Sequence, residues 1–281
     1  MRRRVAVAAG GAALGAALAL TGCNADGGGT TGALKLSANE ALLRTSQKTV
    51  KADSFKAALT VRDGDGGGEI KGTGWFRLRP QLAFSAKLDG LGFGGAASGA
   101  SAQAIFTGNT LYAKIPQAAR FVADGKPWLK IDVAQVQQRT GFDVKGLIGQ
   151  LQQIDPAEQT KMFTGSKDAR RVGEETVDGV KTVHYTGTVT VGEALKRLDA
   201  QQQENARKYL PQGAADKKLT FDLWVDGSGL PRKVVTKGFG RSGGNGTAQV
   251  LYSDYGKKVS VNPPPADQVG ALTLEGLLNG H

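Results

Sequence analysis

The side chains able to do chemistry are few and scattered. Cys23 is the only cysteine among 281 residues, so neither an internal disulfide nor a cysteine-based metal site can form. Its thiol is a nucleophile open to modification, and Leu20, Thr21 and Gly22 lead into it. There are two histidines, His184 and the last residue, His281. His184 faces opposite to Val183 and Tyr185 if that segment is a strand, which predicts a solvated ring. No Ser-His-acid set can be built around it, and no Gly-x-Ser-x-Gly elbow occurs. No His, Cys and carboxylate cluster has metal-ligand spacing either. An enzyme or a metal site is therefore not expected, and no cofactor.

Three further patterns look chemical and are read otherwise. Gly90-x-Gly92-x-x-Gly95 and Gly238-x-Gly240-x-x-Gly243 match the dinucleotide fingerprint. Each falls between two strands instead of opening a helix, and the phosphate-binding mechanism needs the helix. With 41 glycines in the chain, such matches arise by chance. Asp63-x-Asp65-x-Gly67 starts like a calcium loop but lacks the third acidic ligand and the closing glutamate. It reads as a hairpin turn.

The surroundings of Cys23 give its thiol a role. Arg2, Arg3 and Arg4 precede an apolar run from Val5 to Leu20, the layout of a secretory signal and too short for a good membrane-spanning helix. Leu20-Thr21-Gly22-Cys23 resembles the lipobox of bacterial lipoproteins, in which the cysteine takes a diacylglyceryl group before cleavage. Residues 1–22 are thus expected to be a signal peptide. Cys23 would be lipidated, with two acyl chains giving the stable anchoring that one chain alone does not. Residues 23–36, rich in Gly and Thr, read as the lipidated cysteine and a flexible tether. The 13 residues after the cysteine span roughly 20 Å as a Gly-rich coil. The location implied is the extracytoplasmic face of the cell membrane.

Cleavage there leaves 259 residues and lowers the formal charge from +11 to +8. Apolar residues make up 40 % of the chain, enough for a substantial core. The basic residues come as pairs such as Arg170-Arg171, Lys217-Lys218 and Lys257-Lys258, spread out as on a solvated surface that suits a nearby anionic leaflet. Nucleic acid is not expected as a partner.

The elements that follow are helix, then mostly strands. Ser37-x-x-Glu40 has the form of a capping box and opens a helix to about Ala52, with Ala38, Leu42, Ser46, Thr49 and Val50 on one face. From Ser54 the period becomes two. Phe55, Ala57, Leu59 and Val61 alternate with polar residues, and Ile70, Gly72, Gly74, Phe76 and Leu78 return. Leu82, Phe84, Ala86 and Leu88 follow, then Ala102, Ala104 and Phe106, which turn at Gly108-Asn109 into Leu111, Ala113 and Ile115. Helical spacing at Phe142, Leu147, Ile148 and Leu151 precedes a second helix with Asp155 as N-cap and Pro156 at N1. Strands resume over 169–176 and 183–191, and Gly192 to Leu210 reads as one helix. Leu219 to Val225, 234–239 and 248–252 complete the set. Pro263-Pro-Pro265 ends regular pairing, leaving a tail, residues 266–281, that is a short helix or frayed.

Nine or ten antiparallel strands with three or four helices make an α+β fold in which the helices cover one face of the sheet. That face carries small residues, Ala57, Gly72, Gly74, Ala86, Ala104 and Ala113. Two outcomes stay open. Either room remains between sheet and helices for an apolar ligand, or bulky helix side chains fill it. The second outcome would make the chain a protein-interaction or sensor module with a solid core.

Several segments together resemble the LppX/LprAFG family of actinobacterial envelope lipoproteins: the lipobox, the capped helix Ser37–Ala52, and Gly108-Asn-Thr-Leu-Tyr-Ala-Lys114 with Lys126-Pro-Trp-Leu-Lys130. Val177-Asp-Gly-Val-Lys-Thr-Val-His-Tyr185, Leu223-Trp-Val-Asp-Gly-x-Gly-Leu-Pro-Arg232 and the Pro-rich end extend the likeness over most of 37–265. The resemblance implies a half-barrel, an antiparallel sheet wrapping helices around a hydrophobic cavity, similar to outer-membrane lipoprotein carriers. Its expected ligand is an acylated lipid or glycolipid, carried or presented in the envelope. A monomer is expected, with an envelope transporter as a further partner. Alternation assigns the cavity lining to Leu59, Val61, Phe76, Leu78, Phe84 and Leu88. Phe106, Leu111, Phe221 and Leu223 add to the sheet side, and Leu147, Leu151 and Leu195 come from the helices.

Overall fold

The computed structural model describes residues 37–62, 64, 68–91, 99–116, 125–134, 154–210, 213–239 and 245–271. The lipobox, Cys23, the expected helix holding Leu147 and Leu151, and residues 272–281 lie outside this set.

Ser37 starts helix α1 (Ala38–Thr49) through a complete capping box: the Glu40 carboxylate accepts from the Ser37 N–H at 2.8 Å and the Ser37 hydroxyl accepts from the Glu40 N–H. The helix ends at Thr49, short of Ala52, and its buried face is Ala41, Leu42, Thr45, Ser46 and Thr49. Val50, expected on that face, is exposed. The Arg79 guanidinium donates to the Val50 and Ala52 carbonyls, so the last turn is closed by a side chain from elsewhere in the chain.

Six strands then run as a meander: β1 (Ser54–Arg62), β2 (Glu69–Arg77), β3 (Ala83–Leu91), β4 (Ala100–Thr107), β5 (Thr110–Lys114) and β6 (Trp128–Asp132). Helix α2 (Pro156–Phe163) follows, N-capped by Asp155, whose carboxylate accepts from the Ala157 N–H at 2.8 Å. A second meander comprises β7 (Arg170–Val177), β8 (Val180–Thr190), β9 (Lys218–Asp226), β10 (Pro231–Phe239) and β11 (Gly246–Ser253). Asn109 and Asp178 sit at positive φ (66° and 47°) beside Gly108 and Gly179, the mirror-image turns that match strand twist in two-residue hairpins.

Strand β11 pairs with β1, which joins the two meanders and a last short strand, β12 (Val269–Ala271), into one open sheet ordered β12-β6-β5-β4-β3-β2-β1-β11-β10-β9-β8-β7. Twelve strands are seen among the described residues, against the nine or ten expected. One strand with no signal in the sequence is β12, which lies parallel to β6. Pairing therefore resumes beyond Pro263-Pro-Pro265. The chain reaches that edge by crossing the back of the sheet, where Val259 and Val261 pack with Ala83, Trp75 and Ile105. The prolines keep the crossing extended without needing ladder hydrogen bonds.

The single helix read over 192–210 is two, α3 (Val191–Leu195) and α4 (Ala200–Tyr209). Each begins with its own capping box, Thr190 with Glu193 and Asp199 with Gln202. A second start signal inside a helical stretch satisfies N–H groups locally and breaks the ladder there.

Candidate functional site

The helices cover one face of the sheet, and strand register organises that face into rows. In the first row Phe55, Phe76, Phe84, Phe106, Leu111 and Ile131 stand directly opposite one another on β1 to β6. Phe55 and Phe76 stack at 5.1 Å, and Phe84 and Phe106 at 5.7 Å. Each such pair is worth roughly 0.5–1.5 kcal/mol beyond the area it buries. Phe55, Phe76, Phe84, Phe106 and Leu111 of this row are buried, and Ile131 at its end is half-buried.

Two residues further along, the lining becomes small. Tyr252, Ala57, Gly74, Ala86, Ala104 and Ala113 form the second row. Ala57 and Gly74 are buried, whereas Ala86, Ala104 and Ala113 keep partial exposure. The third row runs Val250, Leu59, Gly72, Leu88 and Ala102, and the fourth holds Ala248, Val61 and Ile70. Leu59, Val61, Ile70, Leu88 and Ala102 are all half-buried. Past the aromatic row, then, the centre of the sheet is an apolar trough floored by small residues and walled by aliphatic ones.

Glycines on this face let neighbours lie flat. A β-carbon on Gly74 would come within 3.0 Å of both Ala86 Cβ and Phe76 Cε2. Across the sheet, one on Gly187 would meet Phe221 Cζ at 2.9 Å, so Phe221 is free to stack on Phe163 of α2 at 4.3 Å.

The expected lining thus divides into two groups. Leu59, Val61 and Leu88 lie in the half-buried trough; Leu78 is half-buried on the other side of the aromatic row, two residues beyond Phe76, and Leu195 is half-buried at the end of α3. Phe76, Phe106 and Leu111 are buried in the aromatic row, and Phe84, Phe221 and Leu223 have almost no exposed surface. Phe76, Phe84, Phe106 and Leu111 stand in the aromatic row, whereas Leu223 and Phe221 continue the third and fourth rows through Val250 and Ala248 and are buried on the β9 side, where Phe163 of α2 stacks on Phe221. Alternation gave the face of each strand but could not say which part of that face the helices would cover. Tyr252, absent from the expected lining, ties the two layers together. Its hydroxyl shares its proton between the Ile154 carbonyl and Oε1 of Gln159, each 2.9 Å away. Burial and the nearby Asp155 push that hydroxyl's pKa well above its ordinary value. Asp155 is itself pushed up to about 6, chiefly by burial, with the Glu158 charge adding to the effect.

The outer face carries the one histidine described, and it is not solvated. His184 has 12 % of its side chain exposed, its Nδ1 and Nε2 lie 2.8 Å and 3.0 Å from the carboxylates of Glu175 and Asp222, and its ring stacks on Trp224 at 4.1 Å. Trp224 Nε1 donates to Glu175 at 2.8 Å. The strand face was read correctly, but neighbours on β7 and β9 close over the ring, which alternation within β8 cannot reveal. Among the described residues no group of three or more His, Cys, Asp or Glu is placed to hold a metal. Of the two fingerprint patterns only the first glycine of each, Gly90 and Gly238, lies among the described residues. Gly90 and Gly238 have φ of +85° and +98°, at irregularities of β3 and β10, and a side chain there would strike the Glu69 and Lys218 carbonyls. They are close-packing positions within the sheet.

No helix among the described residues is long and apolar enough to cross a membrane. No family model matches the chain. It is 30 % identical over 169 residues to an uncharacterized 31.2 kDa protein of Streptomyces griseus encoded between rplA and rplJ, covering 59 % of this chain and 55 % of that one. It is 27 % identical over 164 residues to a lipoprotein candidate of Streptomyces coelicolor, covering 58 % of this chain and 49 % of that one. The match thus spans about half the length of each of these relatives. Among solved structures, LprF of Mycobacterium bovis superposes with a TM-score of 0.53 at 14 % identity, over 81 % of this chain and 96 % of LprF. The resemblance to the LppX/LprAFG lipoproteins read from the sequence is therefore a shared fold, a curved α+β half-barrel.

Proposed function

We propose that the mature chain is a non-enzymatic envelope lipoprotein, held by lipid on Cys23 at the extracytoplasmic face of the membrane. Its trough holds the acyl chains of a lipid or glycolipid, which it carries or presents. The observation that carries this reading is the run Ala86, Ala104, Ala113, Ala102 and Leu88, an apolar strip at the centre of the sheet that stays half-buried next to a fully packed aromatic row. Burying acyl surface there contributes roughly 25 cal/mol per Å² before the costs of association. The protein acts as a monomer, and an envelope transporter is the natural partner for cargo exchange.

A second reading, an interaction module with a solid core, is favoured by the completeness of packing around Phe84, Phe221 and Leu223. Extraction and mass spectrometry of the mature chain carrying Cys23→Ser separates the two. One acyl lipid per chain is expected. A chain that is empty as purified and takes up no lipid from vesicles would establish the solid core instead.

A further inference from the structure

Helix α1 buries one face and leaves the other bare. On the bare side Leu43 and Val50 keep 51 % and 50 % of their surface, two of the three large apolar side chains so exposed among the described residues. Seven positions apart, they lie on one line along the helix with Gln47 between them. Arg44, Lys48 and Lys51 follow on the adjoining line, all exposed. Glu40 is the helix's one carboxylate, and its charge is engaged by the Ser37 backbone and hydroxyl in the cap. Lys48 reaches the Ser228 carbonyl at 3.0 Å; Arg44 and Lys51 make no salt bridge among the described residues, Arg44 acting on Glu40 only through its charge.

A single exposed leucine needs no explanation. An apolar line edged by cations, on the first helix after a tether that begins at a lipidated cysteine, has a specific use. Helix α1 starts 15 residues after Cys23, and the Gly-rich composition between them predicts a tether whose ends lie roughly 20 Å apart on average. The +8 charge of the mature chain draws it toward anionic headgroups.

We propose that this face of α1 docks on the anionic leaflet that carries the anchor. Leu43 and Val50 enter the boundary between headgroups and acyl chains, and Arg44 and Lys51 pair with lipid phosphates. Amphipathic helices bind interfaces by this combination of apolar burial and basic flanks. Docking would fix the orientation of the trough against the bilayer, where the tether alone would leave it free. The proposal rests on the anchored reading of Cys23.

The test uses the mature chain with Cys23→Ser, so that no acyl anchor contributes, and cosedimentation with vesicles of phosphatidylcholine alone or mixed with phosphatidylglycerol. The chain should partition onto the mixed vesicles and release with added salt. Leu43→Gln with Val50→Gln should lower that partitioning about tenfold. Arg44→Gln with Lys51→Gln should lower it tenfold or more on mixed vesicles and leave phosphatidylcholine unchanged. All four positions are exposed, so melting temperatures should stay within a few degrees of the parent's. A parent that does not partition, or variants that partition equally well, would overturn docking. So would a dimer in sedimentation velocity that the Leu43 and Val50 changes abolish, since that face would then join two copies. Acyl lipid extracted from the same preparations reports on the trough separately: a loaded chain that fails to dock refutes only the docking.

Discussion

Leu88 on β3 lies across Gly72 on β2: the two are opposite in register, and a β-carbon built on Gly72 would sit 2.7 Å from Cδ2 of Leu88. The missing side chain of one residue is the resting place of the other. Gly72→Val should therefore destabilise the fold by about 1–3 kcal/mol through overpacking. Adding Leu88→Ala should recover most of that loss. Urea unfolding of both single variants and the double variant measures the coupling, and additive effects would show that the contact is unimportant.

The second row gives the trough a steric test. Ala104 is half-buried and faces Ala86 and Ala113, whereas Ala57 is 4 % exposed and packed in the core. Ala104→Trp should fold with a melting temperature near the parent's and lose acyl-lipid uptake. Ala57→Trp should cost about 1–3 kcal/mol or more, because an indole there has no room to enter. Thermal melts with lipid extraction check both. Normal lipid loading in a folded Ala104→Trp chain would remove the trough as the binding site.

Tyr252 joins β11 to the start of α2 through its hydroxyl. Tyr252→Phe keeps the ring against Phe55, 5.7 Å away edge-on, and removes only the bonds to Ile154 and Gln159. A loss of about 1–2 kcal/mol in chemical denaturation is expected, since a buried acceptor is left unsatisfied.

Asp155 makes stability depend on pH with a defined sign. Its carboxyl titrates at about 6 in the fold against 3.8 ordinarily, so the folded state holds its proton over a range where the unfolded chain has lost it. The group is neutral in both states only well below pH 3.8, costs progressively more as pH rises to about 6, and costs a constant amount above that, at most about 3 kcal/mol. Asp155→Asn retains an acceptor for the Ala157 N–H and carries no charge. The variant should be more stable than the parent at pH 7.5, and most of that difference should be gone at pH 4. Paired denaturation curves at both pH values check this. A difference that does not change with pH would place the titration elsewhere.

Local signals were read directly where one residue and its neighbours decide the outcome. Ser37 with Glu40 and Asp155 with Pro156 started helices where they stand, because a cap satisfies N–H groups within three residues. Turns at Gly108-Asn109 and Asp178-Gly179 followed from residues that tolerate positive φ. The inward alternation of Phe55, Phe76, Phe84, Phe106 and Leu111 was likewise legible, since the period of a strand is two. The break between α3 and α4 was equally local, in the Asp199 and Gln202 capping box, and was overlooked because the apolar spacing of Leu195 and Leu198 continues through it.

The sequence by itself determined the strands' faces and the caps that start α1 and α2. Only the tertiary structure decided how the two meanders join through β1 and β11, and that residues 269–271 return as a parallel strand beside β6. It also decided where along each strand the packed row of phenylalanines gives way to half-buried alanines, and that Glu175 and Trp224 enclose His184. These outcomes depend on contacts between residues tens to more than a hundred positions apart, such as Tyr252 with Ile154 and Trp128 with Val269. Periodicity within one segment carries no information about which distant segment will lie against it. The open face of α1 belongs with these. Leu43 and Val50 could be known as exposed only once Leu42, Ser46 and Thr49 were seen to take the face that packs on α2 and the sheet.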